Sequence, residues 1–190
     1  MRKTLCDCET HALEPSRLVR KFGSKITDAA AGKPVLDVAC GSGRNGLFLS
    51  RLACRVICVD KDLTCLRTQL RVCRASDRKT LASLRLRRLD LVERPWPFSP
   101  GTLGGIVNVH FFLPALFPFF ESSLSPGGYF LFETVPGCGG NYLELPKAGV
   151  LWHMLGRAFE IEFYKESKVG PRNCDAVTVQ LLARRSGRIV

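Results

Sequence analysis

The chain lacks a long apolar run. Of its 190 residues 46% are hydrophobic, yet no uninterrupted segment reaches the roughly 20 residues that cross a bilayer. Its opening MRKTLCDCETHALEP carries charges and none of the apolar core of a secretory signal peptide. These absences predict one cytoplasmic domain over residues 1–190, with an N-terminal extension at 1–13 and a frayed tail at 186–190.

Spacings typical of metal ligands are also absent. Cys6 and Cys8 form a C-x-C, but no C-x-x-C and no closely spaced histidine pair follows. The nine cysteines are odd in number and several lie inside apolar runs, which favours buried, reduced thiols over disulfides. The sequence therefore predicts no metal site. The cysteines inside apolar runs are Cys40, Cys54, Cys58, Cys65 and Cys73.

Acidic residues are few: 17 Asp and Glu stand against 28 Lys and Arg, a formal net charge of +11. This surplus raises the hypothesis of a nucleic-acid partner. After Asp62, however, Arg67, Arg71, Arg74 and Arg78 recur every three or four residues opposite an apolar stripe, as on a solvated helix face. No aromatic side chains are interleaved with them to stack on bases. We therefore favour a small-molecule partner, with RNA as the alternative and no membrane contact.

Apolar runs of strand length alternate with segments of helical period. Because the last two strands are too close for a crossover helix, the pattern predicts an α/β fold with a mainly parallel seven-stranded sheet, a C-terminal antiparallel hairpin and helices on both faces. We expect a short helix at 114–124, interrupted at Pro118, and a last helix at 147–159. The predicted strands are 34–39, 55–60, 83–90, 105–112, 129–135, 159–169 and 176–185.

The carboxyl ends of these strands are where an open parallel sheet binds ligands. One rim should therefore carry the segments that follow the five parallel strands. These segments are 40–45, 60–62, 90–91, 108–111 and 134–141.

A glycine turn follows the first strand. Gly41 and Gly43 lack a β-carbon and let a ligand approach the backbone, and a helix starting near Arg44 directs its N–H groups toward that space. Asp60 ends the second strand, where a carboxylate can accept hydrogen bonds from both hydroxyls of a ribose. The turn and the acid together predict a site for a nucleoside.

An acid inside the first strand narrows the choice of nucleoside. Asp37 is a poor neighbour for the phosphates of NAD and a good one for a ligand with positive charge. S-adenosylmethionine carries an ammonium and a sulfonium. The acid therefore favours S-adenosylmethionine.

The stretch VLDVACGSGRNGLFLS, residues 35–50, resembles motif I of class I S-adenosylmethionine-dependent methyltransferases, and CGSGRN resembles in particular the small tellurite-resistance and thiopurine-type methyltransferases. The similarity continues through VICVDKD, RLDL, IVNVHFF, LSPGGYFLFET and the terminal strands, and so covers nearly the whole chain from about Glu14. The chain departs from the family at Gly104-Gly105, where an Asp usually begins the fourth strand. The resemblance implies a Rossmann-like fold.

The resemblance also implies roles for single residues. The acid of the first strand would contact the methionine end of the cofactor through water or backbone, and the glycine turn would line it. The arginine after the turn would help to hold its carboxylate or would close the floor of the pocket. The acid of the second strand would hold the ribose, and the end of the fourth strand would lie under the sulfonium. The implied cofactor-binding residues are Asp37, Ala39, Cys40, Gly41, Ser42, Gly43, Arg44, Asp60, Lys61, Asp62, Asp90, Leu91, Asn108 and Val109.

An activated methyl group needs chiefly a nucleophile held in line with it. His110 is the candidate catalytic residue, as a general base for an oxygen or nitrogen acceptor; the alternative is a rim histidine that only packs. Residues 111–113 and Tyr142 predict a fairly apolar acceptor pocket, which Glu133 and Asn141 could also line.

We expect transfer to a small acceptor, such as a thiol or a chalcogen oxyanion, by a monomer or weak homo-oligomer. The alternatives are an RNA or protein methyltransferase that uses the basic surface, and a non-catalytic S-adenosylmethionine-binding module.

Overall fold

The computed structural model describes residues 14–73, 83–134, 145–170 and 175–187. Within these ranges, none of the helices combines the length and apolarity needed to cross a membrane. Several sequence predictions fall outside them. These are the N-terminal extension with Cys6 and Cys8, most of the glycine loop with Asn141 and Tyr142, and the last residues of the tail, 188–190.

The described strands form one seven-stranded sheet in the order β3-β2-β1-β4-β5-β7-β6. The pairs from β3 to β5 are parallel, and β7 runs antiparallel to both β5 and β6. The predicted mainly parallel sheet with its C-terminal hairpin is therefore confirmed. The strands are β1 Val35–Val38, β2 Val56–Asp60, β3 Leu84–Arg88, β4 Leu103–Val109, β5 Leu124–Glu133, β6 Phe159–Lys168 and β7 Val177–Arg185.

Helices cover both faces of the sheet. The described α-helices are α1 Arg17–Ala29, α2 Arg44–Arg51, α3 Thr64–Cys73, α4 Phe117–Ser123 and α5 Val150–Leu155. One core cluster lies on the face that α1, α2 and α3 cover, and a second, rich in phenylalanine, lies on the face that α4 and α5 cover.

Helix α1 was not predicted from its period, and local chemistry explains it. The Ser16 hydroxyl accepts a hydrogen bond from the Val19 N–H at 3.0 Å and caps the first turn. At the other end, a β-carbon on Gly104 would come within 2.6 Å of the Ala30 backbone, and one on Gly105 within 2.7 Å of the Ile26 side chain. The two glycines of β4 thus let α1 pack directly on the sheet, which accounts for the departure from the family's Asp.

Several predicted boundaries were wrong. The last helix, expected at 147–159, spans only Val150–Leu155. Pro118 does not interrupt a helix; it lies in the first turn of α4, where its missing N–H costs nothing. The SPGG segment, 125–128, belongs to β5, which begins at Leu124. Strand β4 ends at Val109 and not at residue 112, because His110 has a positive φ of 67° that breaks the extended chain.

Candidate functional site

A cavity of about 420 Å³ opens at the carboxyl ends of the central strands. Register places β1 between β2 and β4, so that the segments after these strands lie side by side, on either side of the point where the strand order reverses. Five predicted cofactor residues line the cavity: Ala39, Asp60, Lys61, Asp90 and Leu91.

Asp60 joins the second strand to the glycine turn. Its Oδ2 accepts a hydrogen bond from the Gly41 N–H at 2.8 Å, and its Oδ1 accepts one from the Asp62 N–H at 3.0 Å. Each carboxylate oxygen can accept a further bond, so a pair of ligand hydroxyls could bind on the cavity side. The carboxylate that could hold a ribose therefore also fixes the backbone of the turn.

The glycines after β1 serve different purposes. Gly41 has φ +54°, and a β-carbon there would meet nothing within 4 Å. Gly43 has φ +77°, and a β-carbon there would overlap the Leu66 side chain. At Gly46 a β-carbon would overlap the Cys58 sulfur. Only Gly41 therefore faces open space, while Gly43 and Gly46 admit α2 against its neighbours.

Asp37 is buried beneath the turn and is only 1% exposed. Its Oδ2 accepts a hydrogen bond from the Gly46 N–H in the first turn of α2, at 2.9 Å. Burial raises the pKa of Asp37 to about 7, although the Gly46 bond and the charge of Arg44 oppose the shift. Sequence reasoning did not foresee that Asp37 binds the N-terminal turn of α2.

This raised pKa predicts a pH-dependent stability. A carboxyl whose pKa is about 7 in the folded protein and 3.8 in an unstructured chain favours folding in its protonated form. That contribution is complete below pH 3.8 and is lost as the pH rises through about 7. We expect Asp37→Asn, whose amide oxygen can still accept the Gly46 bond, to gain stability over the parent across this window, by on the order of 2 kcal/mol.

Denaturant unfolding of both proteins at several pH values measures this gain. The exposed Asp28, changed to Asn, is the matched control and should show no such divergence. Parallel pH curves for Asp37→Asn and the parent would contradict the assignment.

Two non-glycine residues at the rim have left-handed backbone conformations. Ala39 follows β1 with φ +49°, and His110 follows β4 with φ +67°. Such conformations are costly for residues with a side chain and cluster at functional sites. Both residues adjoin the cavity. Because neither is a glycine, the sequence did not indicate a left-handed conformation at these positions.

Arg44 and Glu133 both lie within electrostatic range of His110. The His110 N–H donates to the Glu133 carbonyl at 2.7 Å. Desolvation by surrounding groups and the charge of Arg44 lower the pKa of His110 below its ordinary 6.5, and Glu133 opposes the shift. The imidazole is therefore largely neutral at pH 7 and can accept a proton.

Buried polar atoms without partners mark the same end of the sheet. Among the described residues, both amide atoms of Asn108 and the Oε2 of Glu133 are buried and form no hydrogen bond. Because a buried unpaired polar atom costs free energy, such atoms indicate where a ligand or water binds.

Some predicted residues lie beside the cavity and not on its wall. Cys40 is buried next to Cys58, and its thiol helps to raise the pKa of Cys58. The Oδ1 of Asp62 caps α3 by accepting from the Thr64 N–H at 2.9 Å. The remaining predicted residues off the wall are Asp37, Gly41, Ser42, Gly43, Arg44, Asn108, Val109 and His110.

Sequence reasoning missed part of the cavity wall. Leu89, Val92 and Glu93 come from the turn after β3, and Phe111 was expected in the acceptor pocket. The Asp90 Oδ1 accepts from the Val92 N–H at 2.9 Å, which bends this turn over the cavity. An Asp directly after a strand is the signal that could have indicated the turn.

Part of the chain is similar to a known protein family. The family model described as tellurite resistance protein TehB matches residues 20–96. No curated protein matches the chain significantly.

Solved structures are similar in fold at low identity. The [4+2]-cyclase SpnF has a TM-score of 0.67 and 16% identity, with 88% of this chain and 80% of that chain covered. Geranyl diphosphate C-methyltransferase from Streptomyces coelicolor A3(2), solved with S-adenosyl-L-homocysteine, has 0.64 and 15%, with 89% and 81% covered. TehB from Haemophilus influenzae has 0.60 and 18%, with 89% and 66% covered. At these identities the likeness shows the fold alone, and a cyclase among the neighbours shows that the fold does not fix the reaction.

Proposed function

We propose that the chain is an S-adenosylmethionine-dependent methyltransferase that acts on a small molecule, a proposal supported by its fold and by the family model that matches residues 20–96. The observation that carries the proposal is the cavity of about 420 Å³ with Asp60 on its wall, next to the open face of Gly41. Free, largely buried Cys40, Cys54 and Cys58 favour a reducing, cytoplasmic compartment.

The residues of the cavity fit this cofactor. Asp60 offers carboxylate oxygens to vicinal hydroxyls, while Ala39, Leu91 and Phe111 offer apolar surface to a flat ring. The space in front of Gly41 lets a ligand lie against the backbone, and the unpaired amide of Asn108 offers a donor and an acceptor. We propose the cofactor-binding roles implied by the resemblance for these residues.

When bound, S-adenosylmethionine supplies an activated methyl group. The protein then has to orient the acceptor and exclude water. Phe111 lines the cavity, and the adjoining Phe112 and Leu113 pack against the second core cluster behind it, an apolar setting suited to that task. Because His110 is largely neutral at pH 7, it can remove a proton from an acceptor that needs a base.

We expect His110→Ala to change the rate less than about tenfold at neutral pH, because a thiol acceptor ionises without a base. The rate should follow the ionisation of the acceptor. A pH–rate profile of parent and variant on the best acceptor measures this. A loss of about 10²–10⁴, with a break below pH 6.5 that disappears in the variant, would instead make His110 the general base.

The test of the proposed function is a screen of thiols, chalcogen oxyanions and tRNA for methyl transfer that depends on S-adenosylmethionine. Turnover of a small acceptor at a rate insensitive to salt supports the proposal. Methylation of tRNA alone, with steep loss at high salt, would favour the exposed Arg85 and Arg87 of β3 as an RNA-binding surface. Cofactor binding without turnover of any acceptor would indicate a non-catalytic module.

A further inference from the structure

Glu133 is the last residue of β5, and within the part of the chain that the structure describes only one of its two buried carboxylate oxygens is hydrogen-bonded. It is 4% exposed, and its side chain is held from one side only. The Gln180 amide nitrogen donates to the Glu133 Oε1 at 2.8 Å, across the antiparallel pair of β5 and β7. Among the described residues, Oε2 has no donor.

This oxygen belongs to the residue that ends β5, at the same end of the sheet as His110, the candidate catalytic residue. Glu133 is paired with Val109 in the register of β4 and β5, one residue before His110. The His110 N–H binds the Glu133 carbonyl, and the carboxylate acts on the imidazole through space. The ribose-binding candidate Asp60 lies on β2, on the far side of β1 and β4.

A carboxylate oxygen can only accept hydrogen bonds, and burying it unpaired costs free energy. A ligand that brings an N–H or O–H group removes this cost, whereas an anionic ligand adds repulsion. We infer that the Glu133 Oε2 binds a hydrogen-bond donor on the methyl acceptor, and that the enzyme thereby selects amine- or hydroxyl-bearing acceptors over anionic ones. The inference rests on the proposed function and narrows its substrate class.

The sharpest variant is Glu133→Gln. The Gln side chain has the same shape and can still accept the Gln180 bond, but it can present an NH₂ where Oε2 was. The Glu133→Gln variant should therefore keep the hydrogen bond between β5 and β7, and it should present a donor where Glu133 has the unpaired acceptor Oε2. Gln180→Leu removes the positioning bond and leaves the carboxylate.

The probes are butylamine and butyrate, added to protein saturated with S-adenosylhomocysteine and followed by NMR chemical-shift titration. We expect the parent to prefer butylamine by about tenfold and Glu133→Gln to lose or reverse that preference. Gln180→Leu should weaken the preference without reversing it. Cysteamine against thioglycolate, as methyl acceptors, should show the same order in kcat/KM.

Several outcomes would overturn the inference. The first is a parent that binds butyrate as well as butylamine, which needs no variant to observe. The second is an unchanged preference in folded Glu133→Gln. The third is weaker binding of S-adenosylhomocysteine by that variant, which would assign Glu133 to the cofactor. Failure of the parent to bind S-adenosylhomocysteine would overturn the proposed function as well.

Discussion

Asp60→Ala is expected to weaken S-adenosylhomocysteine binding by about 2–4 kcal/mol, or roughly 30- to 1,000-fold. The variant removes the proposed acceptor for two ribose hydroxyls. It also releases the Gly41 N–H, which Asp60 holds at 2.8 Å, so that the turn loses its fixed backbone. Isothermal calorimetry measures the loss directly, and Asp60→Asn, which keeps one carbonyl oxygen, should fall between the two proteins.

The matched control for this change is Asp28→Ala. Asp28 is an exposed aspartate near the end of α1, two residues before Ala30, which packs against the start of β4. It should bind S-adenosylhomocysteine like the parent. Unchanged affinity in a folded Asp60→Ala protein would remove Asp60 from the cofactor site.

Gly41→Val is expected to abolish measurable S-adenosylhomocysteine binding. A β-carbon at Gly41 meets no protein atom within 4 Å, and we expect the valine side chain to fill space that the ligand needs. The free energy of unfolding should fall by only about 2 kcal/mol, the cost of a non-glycine residue in a left-handed conformation. Calorimetry and denaturant unfolding separate the two effects.

Two other glycines serve as controls. Gly32 precedes β1, at the end of the strand opposite to the site, has φ +78° and is equally open, so Gly32→Val should share the loss of stability and keep the affinity. Gly43→Ala should lose stability instead, since its β-carbon overlaps Leu66. Normal affinity in folded Gly41→Val would mean that the ligand does not approach the chain at this turn.

The elements around the cofactor site could be predicted because each depends on residues that are close together in the sequence. The buried strand before Cys40, the glycine turn and the acid at Asp60 are each read from neighbouring residues, and they lie together as expected. The insertion of β7 between β5 and β6 is different. A hairpin alone does not say which of its strands joins the sheet, and here β7, the more buried of the two, lies between β5 and β6.

The chemistry of the site depends on contacts that no local pattern carries. The bond from Gln180 to Glu133 joins residues 47 apart, and the burial of Asp37 against Gly46 depends on how α2 lies on β1. The positive φ of His110 could not be predicted, because the residue usually found in that conformation is glycine. Such features arise from tertiary packing, which overrides local preference.

Helix α1 is held at both of its ends, by packing on the glycines of β4 at one end and by a hydrogen bond at the other. Its far end rests on the backbone of β4 at Gly104, and the chain at its near end is tied to the rim, where the Ser16 N–H donates to the Asn45 side chain at 2.9 Å. A helix of 13 residues is about 20 Å long, so α1 connects the contact at Gly104 with the segment beside the glycine turn. Since a larger side chain at Gly104 would overlap Ala30, we expect substitution there to destabilise the helix that the Ser16–Asn45 bond ties to the rim.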